Sequence, residues 1–229
     1  LDTLNTNILG LYNVLNLVTK NTRSILYFSS GEVYGEPKIE TPIGENYRGT
    51  TDHLNQRSCY VEGKRICETI CMNYFWEKKY PIKIARIFHT FGPGLNLDDG
   101  RVFSDFIRDG LAKKDIEIRG DKNLVRPLLY IKDATIMFFK IILLGRNGEV
   151  YNVSNDKNSV SVGELARIVC GVFNNYYDKK LKVKINIKNN NYYKNAVKQI
   201  IPDISKFSRT FTFRPSTSIE EALTKTINY

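Results

Sequence analysis

The sequence predicts an α/β fold with a doubly wound parallel-sheet core and a smaller C-terminal α+β lobe. Three observations predict it. Residues 3–20 place Leu4, Ile8, Leu11, Leu15 and Val18 at intervals of three and four, which is one face of a helix. Ser24-Ile25-Leu26-Tyr27-Phe28-Ser29-Ser30 then runs almost unbroken in apolar residues, ending in small polar ones and Gly31, as a buried parallel strand does. Residues 58–79 return to helical periodicity, and Pro81–Phe88 is a second strand-like run that Gly92-Pro93-Gly94 breaks. Helix, strand, loop, helix, strand is the alternation of a parallel sheet with crossover helices.

Each later element has its own reason. Residues 36–57 are polar, with Pro37, Pro42, Gly44 and Gly49, and read as a long loop of the kind that carries function or moves. After residue 95 the texture changes. Val102–Ala112 is helical in pattern, Ile116–Ile118 and Leu128–Ile131 are short strands, Lys132–Leu144 is a helix, and Glu149–Val153 is a strand. Ser161–Phe173 is a helix with Ser161 as N-cap and Glu164 at the capping-box position. Val183–Ile187 alternates, and Pro202–Ser208 and Ser218–Asn228 read as short helices. Residues 1–95 are thus the remainder of a sheet domain. Residues 96–229 form mainly the second lobe, with a segment near 149–153 returning to the core sheet. There are no internal repeats.

Composition narrows the function classes. Of 229 residues, 42% are hydrophobic and 12% aromatic, which excludes wholesale disorder. No run approaches the roughly 20 apolar residues of a membrane helix, and no secretory signal is present. The net charge of +10 suits an anionic ligand such as a nucleotide. It does not point to nucleic acid, because the lysines of Lys179–Lys198 are scattered among asparagines without a recognisable binding motif. Four cysteines at 59, 67, 71 and 170 form no CxxC pair, and there are only two histidines, so no metal site is expected. Cys67 and Cys71 read as small apolar residues of one helix face, in a reducing, cytoplasmic compartment. The chain opens at Leu1, inside a helical pattern, which suggests a fragment, a processed product or a truncated gene product.

The most informative stretch is Ser58-Cys59-Tyr60-Val61-Glu62-Gly63-Lys64-Arg65. Tyr60 and Lys64 are four apart on a predicted helix and share a face. An ammonium beside a phenol favours loss of the phenol proton. Such a tyrosine can take a proton from a sugar hydroxyl while hydride leaves the same carbon. Alone, YxxxK also fits an ordinary surface helix pair.

Its context is more specific. Ser30-Gly31-Glu32-Val33-Tyr34-Gly35, the Tyr60–Lys64 stretch, Ala85-Arg86-Ile87-Phe88-His89-Thr90-Phe91-Gly92-Pro93 and Leu97-Asp98-Asp99-Gly100-Arg101-Val102 occur in that order. They are joined by Arg126, Tyr130-Ile131-Lys132-Asp133, Val150-Tyr151-Asn152-Val153 and Pro202-Asp203-Ile204-Ser205-Lys206. Together they resemble the extended short-chain dehydrogenase/reductases that modify nucleotide sugars, on a Rossmann-like core. Among these the resemblance is closest to the UDP-glucuronate decarboxylases, and it covers essentially the whole chain.

The resemblance implies NAD as cofactor and a nucleotide sugar, UDP-glucuronate, as substrate. It implies oxidation at C4 of the sugar, loss of CO2 from the resulting β-keto acid, and return of the hydride to give UDP-xylose. By the same resemblance Tyr60 is the base, and Lys64 holds the cofactor ribose. Ser30 bonds the C4 oxygen, and Glu32 lies beside the sugar ring. Thr90, Arg101 and Asn7 match cofactor-proximal positions. Arg126 matches an arginine on the nucleotide diphosphate, where a bidentate fork is well suited. His89 stands at a substrate-side position usually held by asparagine. A homodimer through the helix of Leu4–Val18 and that of Ile66–Phe75 is also implied. Plainer readings stand beside these roles: a strand-end cap for Ser30, a solvated loop acid for Glu32, a surface charge for Arg101, a surface ion pair for Arg126, and an ordinary helix residue for Asn7.

The sequence also departs from that family. No GxxGxxG turn for a pyrophosphate is present, which corresponds to roughly 60–90 missing residues of βαβ units and predicts an exposed sheet edge. Gly31 replaces a usual serine, Gly94 a usual arginine, and Ile200-Ile201 usual basic residues. Pro127-Leu128-Leu129 replaces a more polar or aromatic run. A 4-epimerase or 4,6-dehydratase on the same scaffold remains an alternative, although Gly31-Glu32 keeps only one of the two acids a dehydratase uses. A non-catalytic remnant that binds a nucleotide sugar or a partner chain is a third reading.

Overall fold

The computed structural model describes residues 1–37, 42–178, 180–186 and 200–229. The chain divides into two units, each built from three stretches. The first holds Leu1–Phe88, Ala134–Ser154 and Pro202–Arg214; the second holds His89–Asp133, Asn155–Ile201 and Pro215–Tyr229.

The first unit is a parallel sheet of β1 (Ile25–Ser30), β2 (Ile82–Ile87) and β6 (Val150–Val153), in the order β1-β2-β6. Ile25 pairs with Ile82 and Ser30 with Ile87; Ile84 pairs with Val150 and Ile87 with Val153. Helices α1 (Asp2–Asn16) and α2 (Ser58–Lys78) cover one face. Leu11 and Leu15 from α1, Cys67, Ile70 and Cys71 from α2, and Ile82 and Ile84 from β2 form its buried core. Gly63 of α2 faces Leu4 and Asn7 of α1, where a methyl group would make ordinary contacts at 3.4 Å and beyond. On the other face Phe28 stacks on Phe138 of α4 (Ile131–Leu144), with ring centroids 4.6 Å apart. Side chains alternate across the pleat, so covering both faces makes the doubly wound arrangement.

The outward edge of β1 has no strand partner among the described residues. The Ile25 N–H bonds the Pro81 carbonyl, so odd residues turn their backbone groups toward β2. Leu26, Phe28 and Ser30 turn theirs outward.

The second unit has β3 (His89–Phe91) parallel to β5 (Val125–Tyr130), β5 antiparallel to β7 (Ser159–Ser161), and β4 (Ile116–Ile118) parallel to β8 (Val183–Ile185). Helices α3 (Val102–Leu111), α5 (Val162–Asn174) and α7 (Ile219–Ile227) enclose a core that includes Phe106, Ile107, Ile116, Leu165, Val169, Phe173 and Leu223. Ser161 caps α5 with the predicted box: Glu164 N–H donates to Ser161 Oγ, and Ser161 N–H to the Glu164 carboxylate.

The structure differs from the sequence reading in several places. The change of unit falls at Phe88–His89 rather than near 95, because the three residues of β3 pair with β5 and not with the first sheet. The segment returning to the core sheet extends beyond 149–153. It includes most of α4, through its Phe138–Phe28 contact, and the chain from Pro202 to Arg214. The β5 strand ends at Tyr130, and Ile131 already begins α4. Helix α6 (Ser205–Phe211) starts three residues late, because Pro202 forms a parallel bridge with Ile43 and Asp203 N–H bonds the Ile43 carbonyl. The described part of residues 36–57 is less open than expected, with Glu36 bridged to Thr50 and Ile43 buried. Ile187, the end of the alternating run, and the lysines at 179 and 187–199 lie outside the described residues.

Candidate active site

In the first unit, α2 carries Tyr60 and Lys64 one turn apart on the side facing β1. Tyr60 is exposed. The Lys64 ammonium lies 5.9 Å from the Tyr60 ring centroid and 5.2 Å from that of Tyr27. It donates to the Phe28 carbonyl at 2.8 Å, on the outward edge of β1. Partial burial lowers the Lys64 pKa below the ordinary lysine value, opposed by a smaller effect from Cys67.

At the end of β1, Ser30 is buried, and Gly31–Tyr34 turns as one short 3-10 helix. Ser30 Oγ accepts the Glu32 N–H at 3.2 Å, so the hydroxyl does cap the turn. A hydroxyl that accepts one bond still has its own proton to donate. Glu32 is half-buried in the first turn. Gly35 closes the turn at φ +63°, a left-handed conformation that favours glycine. Asn7 lies where α1 crosses Gly63, and its amide donates to the Thr3 carbonyl at 2.7 Å.

Sequence reasoning missed a buried polar cluster beneath these groups. Arg86 of β2 meets Glu68 of α2 as a two-bond fork, with Nε to Oε1 at 2.9 Å and Nη2 to Oε2 at 2.7 Å. Ser29 donates to Glu68 Oε1 at 2.6 Å, and Arg86 Nη1 to the Glu45 carbonyl at 2.9 Å. The guanidinium lies 4.8 Å from the Tyr34 ring centroid. Burial opposes its charge, but the Glu68 hydrogen bonds and the Tyr34 and Glu68 charges outweigh burial and raise its pKa. Tyr34 hydroxyl donates to Asn152 Oδ1 at 2.6 Å, and Asn152 Nδ2 donates to the Ile43 and Asp203 carbonyls. Burial pushes the Tyr34 phenol up to about 12, against the lowering effect of Arg86. The available signal was an arginine inside a strand run that is apolar except for Lys83, since such a charge requires a partner.

The second unit holds the remaining expected residues. His89 and Thr90 lie on β3, opposite Leu128 and Leu129 of β5. Arg126 lies on β5, and its Nη1 donates to the Val125 carbonyl at 2.8 Å. Arg101 is the N-cap residue of α3, mostly exposed and paired with Asp99 at 3.1 Å. The His89 side chain is exposed, yet the protein around its base desolvates it, and Arg126 and Arg101 repel a further positive charge. Together these hold the imidazole down at about 4. Solvent on its open face screens all three effects. The expected residues thus fall into two sets: Tyr60, Lys64, Ser30, Glu32 and Asn7 in one unit, and His89, Thr90, Arg101 and Arg126 in the other.

Among the described residues, no group of three or more His, Cys, Asp or Glu could hold a metal ion, and no helix is long and apolar enough to cross a membrane.

Known proteins resemble this chain along nearly its whole length. UDP-glucuronic acid decarboxylase 6 of Arabidopsis thaliana is 33% identical over 221 residues, which is 96% of this chain and 61% of that protein. UDP-glucuronic acid decarboxylase 1 of Xenopus tropicalis is 30% identical over 228 residues, 99% of this chain and 51% of that protein. The chain therefore spans about half to three-fifths of the length of these relatives. Among solved structures, a UDP-glucose 4-epimerase of Thermotoga maritima superposes with a TM-score of 0.83 at 24% identity, covering 99% of this chain and 69% of that one. A dTDP-glucose 4,6-dehydratase of Bacillus anthracis in complex with NAD gives 0.80 at 20% identity, covering 98% and 67%. Both share the fold. Residues 1–154 match the model of the NAD dependent epimerase/dehydratase family, and the chain belongs to that family.

Proposed function

We propose that the protein is an NAD-dependent nucleotide-sugar decarboxylase that converts UDP-glucuronate to UDP-xylose. The observation that carries this reading is the pairing of Tyr60 and Lys64 on α2 beside the β1 strand that ends in Ser30. The relatives named UDP-glucuronic acid decarboxylases support the choice of substrate.

The residues present fit one end of the cofactor. Tyr60 is exposed, and the Lys64 ammonium rests on a backbone carbonyl that a ribose hydroxyl can replace. Thr90, Arg101 and Asn7 are further candidates for holding it. The 229 residues contain no GxxGxxG turn for its pyrophosphate. When bound, NAD supplies a hydride acceptor and donor at the sugar C4.

Tyr60 takes the C4 hydroxyl proton, and the nearby Lys64 charge stabilises the phenolate. Ser30 donates its free proton to the C4 oxygen. The 4-keto sugar is a β-keto acid. Its loss of CO2 breaks the C5–C6 bond and leaves an enolate whose oxygen Ser30 and the protonated Tyr60 stabilise; a proton from water at C5 restores the ketone, and Tyr60 returns its proton to O4 as the hydride would return to C4. By the same resemblance Glu32, in the first unit, is a candidate for binding the sugar, and His89 and Arg126, in the second, are candidates for the sugar and the diphosphate. The low pKa of His89 keeps it an uncharged hydrogen-bonding group. Activity as a cytoplasmic homodimer belongs to the same reading, supported by Leu9 and Tyr12 of α1 and Ile66 of α2, which are exposed apolar residues.

The test is incubation of the purified native protein with NAD+ and UDP-glucuronate, followed by product analysis. Release of CO2 with UDP-xylose is expected. A C4 epimer without CO2 would replace the reading with that of an epimerase. Failure to bind NAD would replace it with that of a non-catalytic nucleotide-sugar binder.

A further inference from the structure

Tyr60 and Lys64 ride on a helix, while Ser30 stands on a strand. Their spacing depends on how α2 is fastened to β1. A side-chain bond from Arg65 Nε to the Val33 carbonyl at 2.9 Å joins α2 to the turn after Ser30, and two more join α2 to β1 itself. One is the Lys64 bond to Phe28, which engages the site's own lysine. The other comes from Glu68, one helical turn beyond Lys64. Its Oε1 accepts the hydroxyl of Ser29, the residue directly before Ser30, at 2.6 Å. The same carboxylate is gripped by Arg86 of β2 through both oxygens, and Arg86 is held in turn by the Glu45 carbonyl. Glu68 and Arg86 side chains are only 13% and 10% exposed. A buried charge pair of this kind holds its geometry when its hydrogen-bonding positions are filled, and here they largely are.

We infer that Glu68 is a positioning residue, which straps the helix of Tyr60 and Lys64 to the strand end of Ser30 through Ser29, with Arg86 fixing the carboxylate. The inference rests on the reading of Tyr60, Lys64 and Ser30 as the reacting set. When Lys64 leaves the Phe28 carbonyl for a cofactor hydroxyl, the Glu68–Ser29 bond is the side-chain bond to β1 that remains, on the side of Ser30 opposite the Arg65–Val33 bond. Glu68 needs no contact with substrate, and its effect is to hold the proton acceptor and the hydroxyl donor at one separation. Misplacement of reacting groups by a fraction of an ångström to an ångström costs about 10- to 100-fold in rate.

The test uses Ser29→Ala, which cuts the strap and leaves the Glu68–Arg86 pair intact, Ser29→Thr, which keeps a hydroxyl, and Glu68→Gln, which keeps the shape. Two readouts are taken on the native protein. The first is amide hydrogen exchange over residues 29–35, which requires no activity. The second is steady-state turnover with NAD+ and UDP-glucuronate. Ser29→Ala and Glu68→Gln are expected to exchange faster over 29–35 and to lose about tenfold in kcat with KM within twofold, while Ser29→Thr recovers most of both. Unchanged exchange and unchanged kcat in Ser29→Ala would overturn the inference, as would a rise in KM alone. If the parent protein makes no UDP-xylose, the decarboxylase reading fails by itself, and the exchange data alone decide whether the strap exists.

Discussion

The Lys64 ammonium is bonded to the Phe28 carbonyl, a backbone group that faces outward from the unpaired edge of β1. The lysine is therefore partly buried, with its charge resting on one carbonyl and two aromatic rings. In the proposed reading this ammonium exchanges its carbonyl partner for a cofactor hydroxyl.

Replacement of Lys64 by Met should follow from that. Burial lowers the Lys64 pKa in the folded state, so the unfolded chain binds more protons between that value and 10.5. The Lys64 contribution is thus unfavourable at neutral pH and is relieved as pH rises toward 10.5. Lys64→Met is expected to be at least as stable as the parent in urea at pH 7, with the difference closing as pH rises. NAD affinity should fall by roughly tenfold or more, the worth of a charged hydrogen bond. A variant less stable than the parent at pH 7 would show that the bond to Phe28 outweighs the burial cost.

The thiols give a second test. Cys67, Cys71 and Cys170 are buried and Cys59 is half-buried. Burial raises all three buried thiols, Cys71 to about 12, where the charges of Cys67 and Glu68 add to the effect. A thiol-disulfide reagent at pH 8 should titrate one group per native chain and all four after denaturation. Rapid native labelling of Cys67 would contradict the packing of α2 on α1.

His89 gives a third. Its folded pKa lies at about 4, below the ordinary 6.5, so the unfolded chain binds the extra proton first as pH falls. Its contribution to stability is present above 6.5 and is lost as pH falls through the window to about 4. The imidazole resonances should titrate well below 6.5, and Arg126→Gln should move the midpoint upward. His89→Asn should remove that part of the acid sensitivity. A native midpoint at or above 6.5 would remove the arginine repulsion from the account.

Tyr34→Phe probes the buried cluster. It takes away the hydroxyl that Asn152 Oδ1 accepts, and Asn152 is fully buried. The expected loss is about 1–3 kcal/mol, measured by urea unfolding, because an acceptor is left unsatisfied. An unchanged unfolding midpoint would mean that water replaces the phenol.

Local signals in the chain account for most of the elements. The 3–4 spacing of Leu4 to Val18 reads directly as α1, and Ser161 with Glu164 reads directly as the start of α5. The Tyr60–Lys64 pair is legible because its spacing is one turn of a single helix. The Glu68–Arg86–Ser29 cluster is not, because its members come from three elements and no period links them. The brief β3 was hidden for a related reason: its three residues follow β2 after one intervening position, and only pairing with β5 separates the two strands. Pro202 reads as a helix start until its bridge to Ile43, far away in sequence, holds it extended.

The interleaving of the two units has a consequence for synthesis and inheritance. The polypeptide passes from one unit to the other five times between Phe88 and Pro215. On the ribosome, the first sheet cannot gain β6 until the intervening second-unit stretch has emerged, nor its last helix until residue 211 is made. Early products carry an incomplete sheet through most of translation, a period in which chaperone protection matters. Neither unit corresponds to one uninterrupted length of gene, so recombination that cuts at a single point cannot transplant either of them whole.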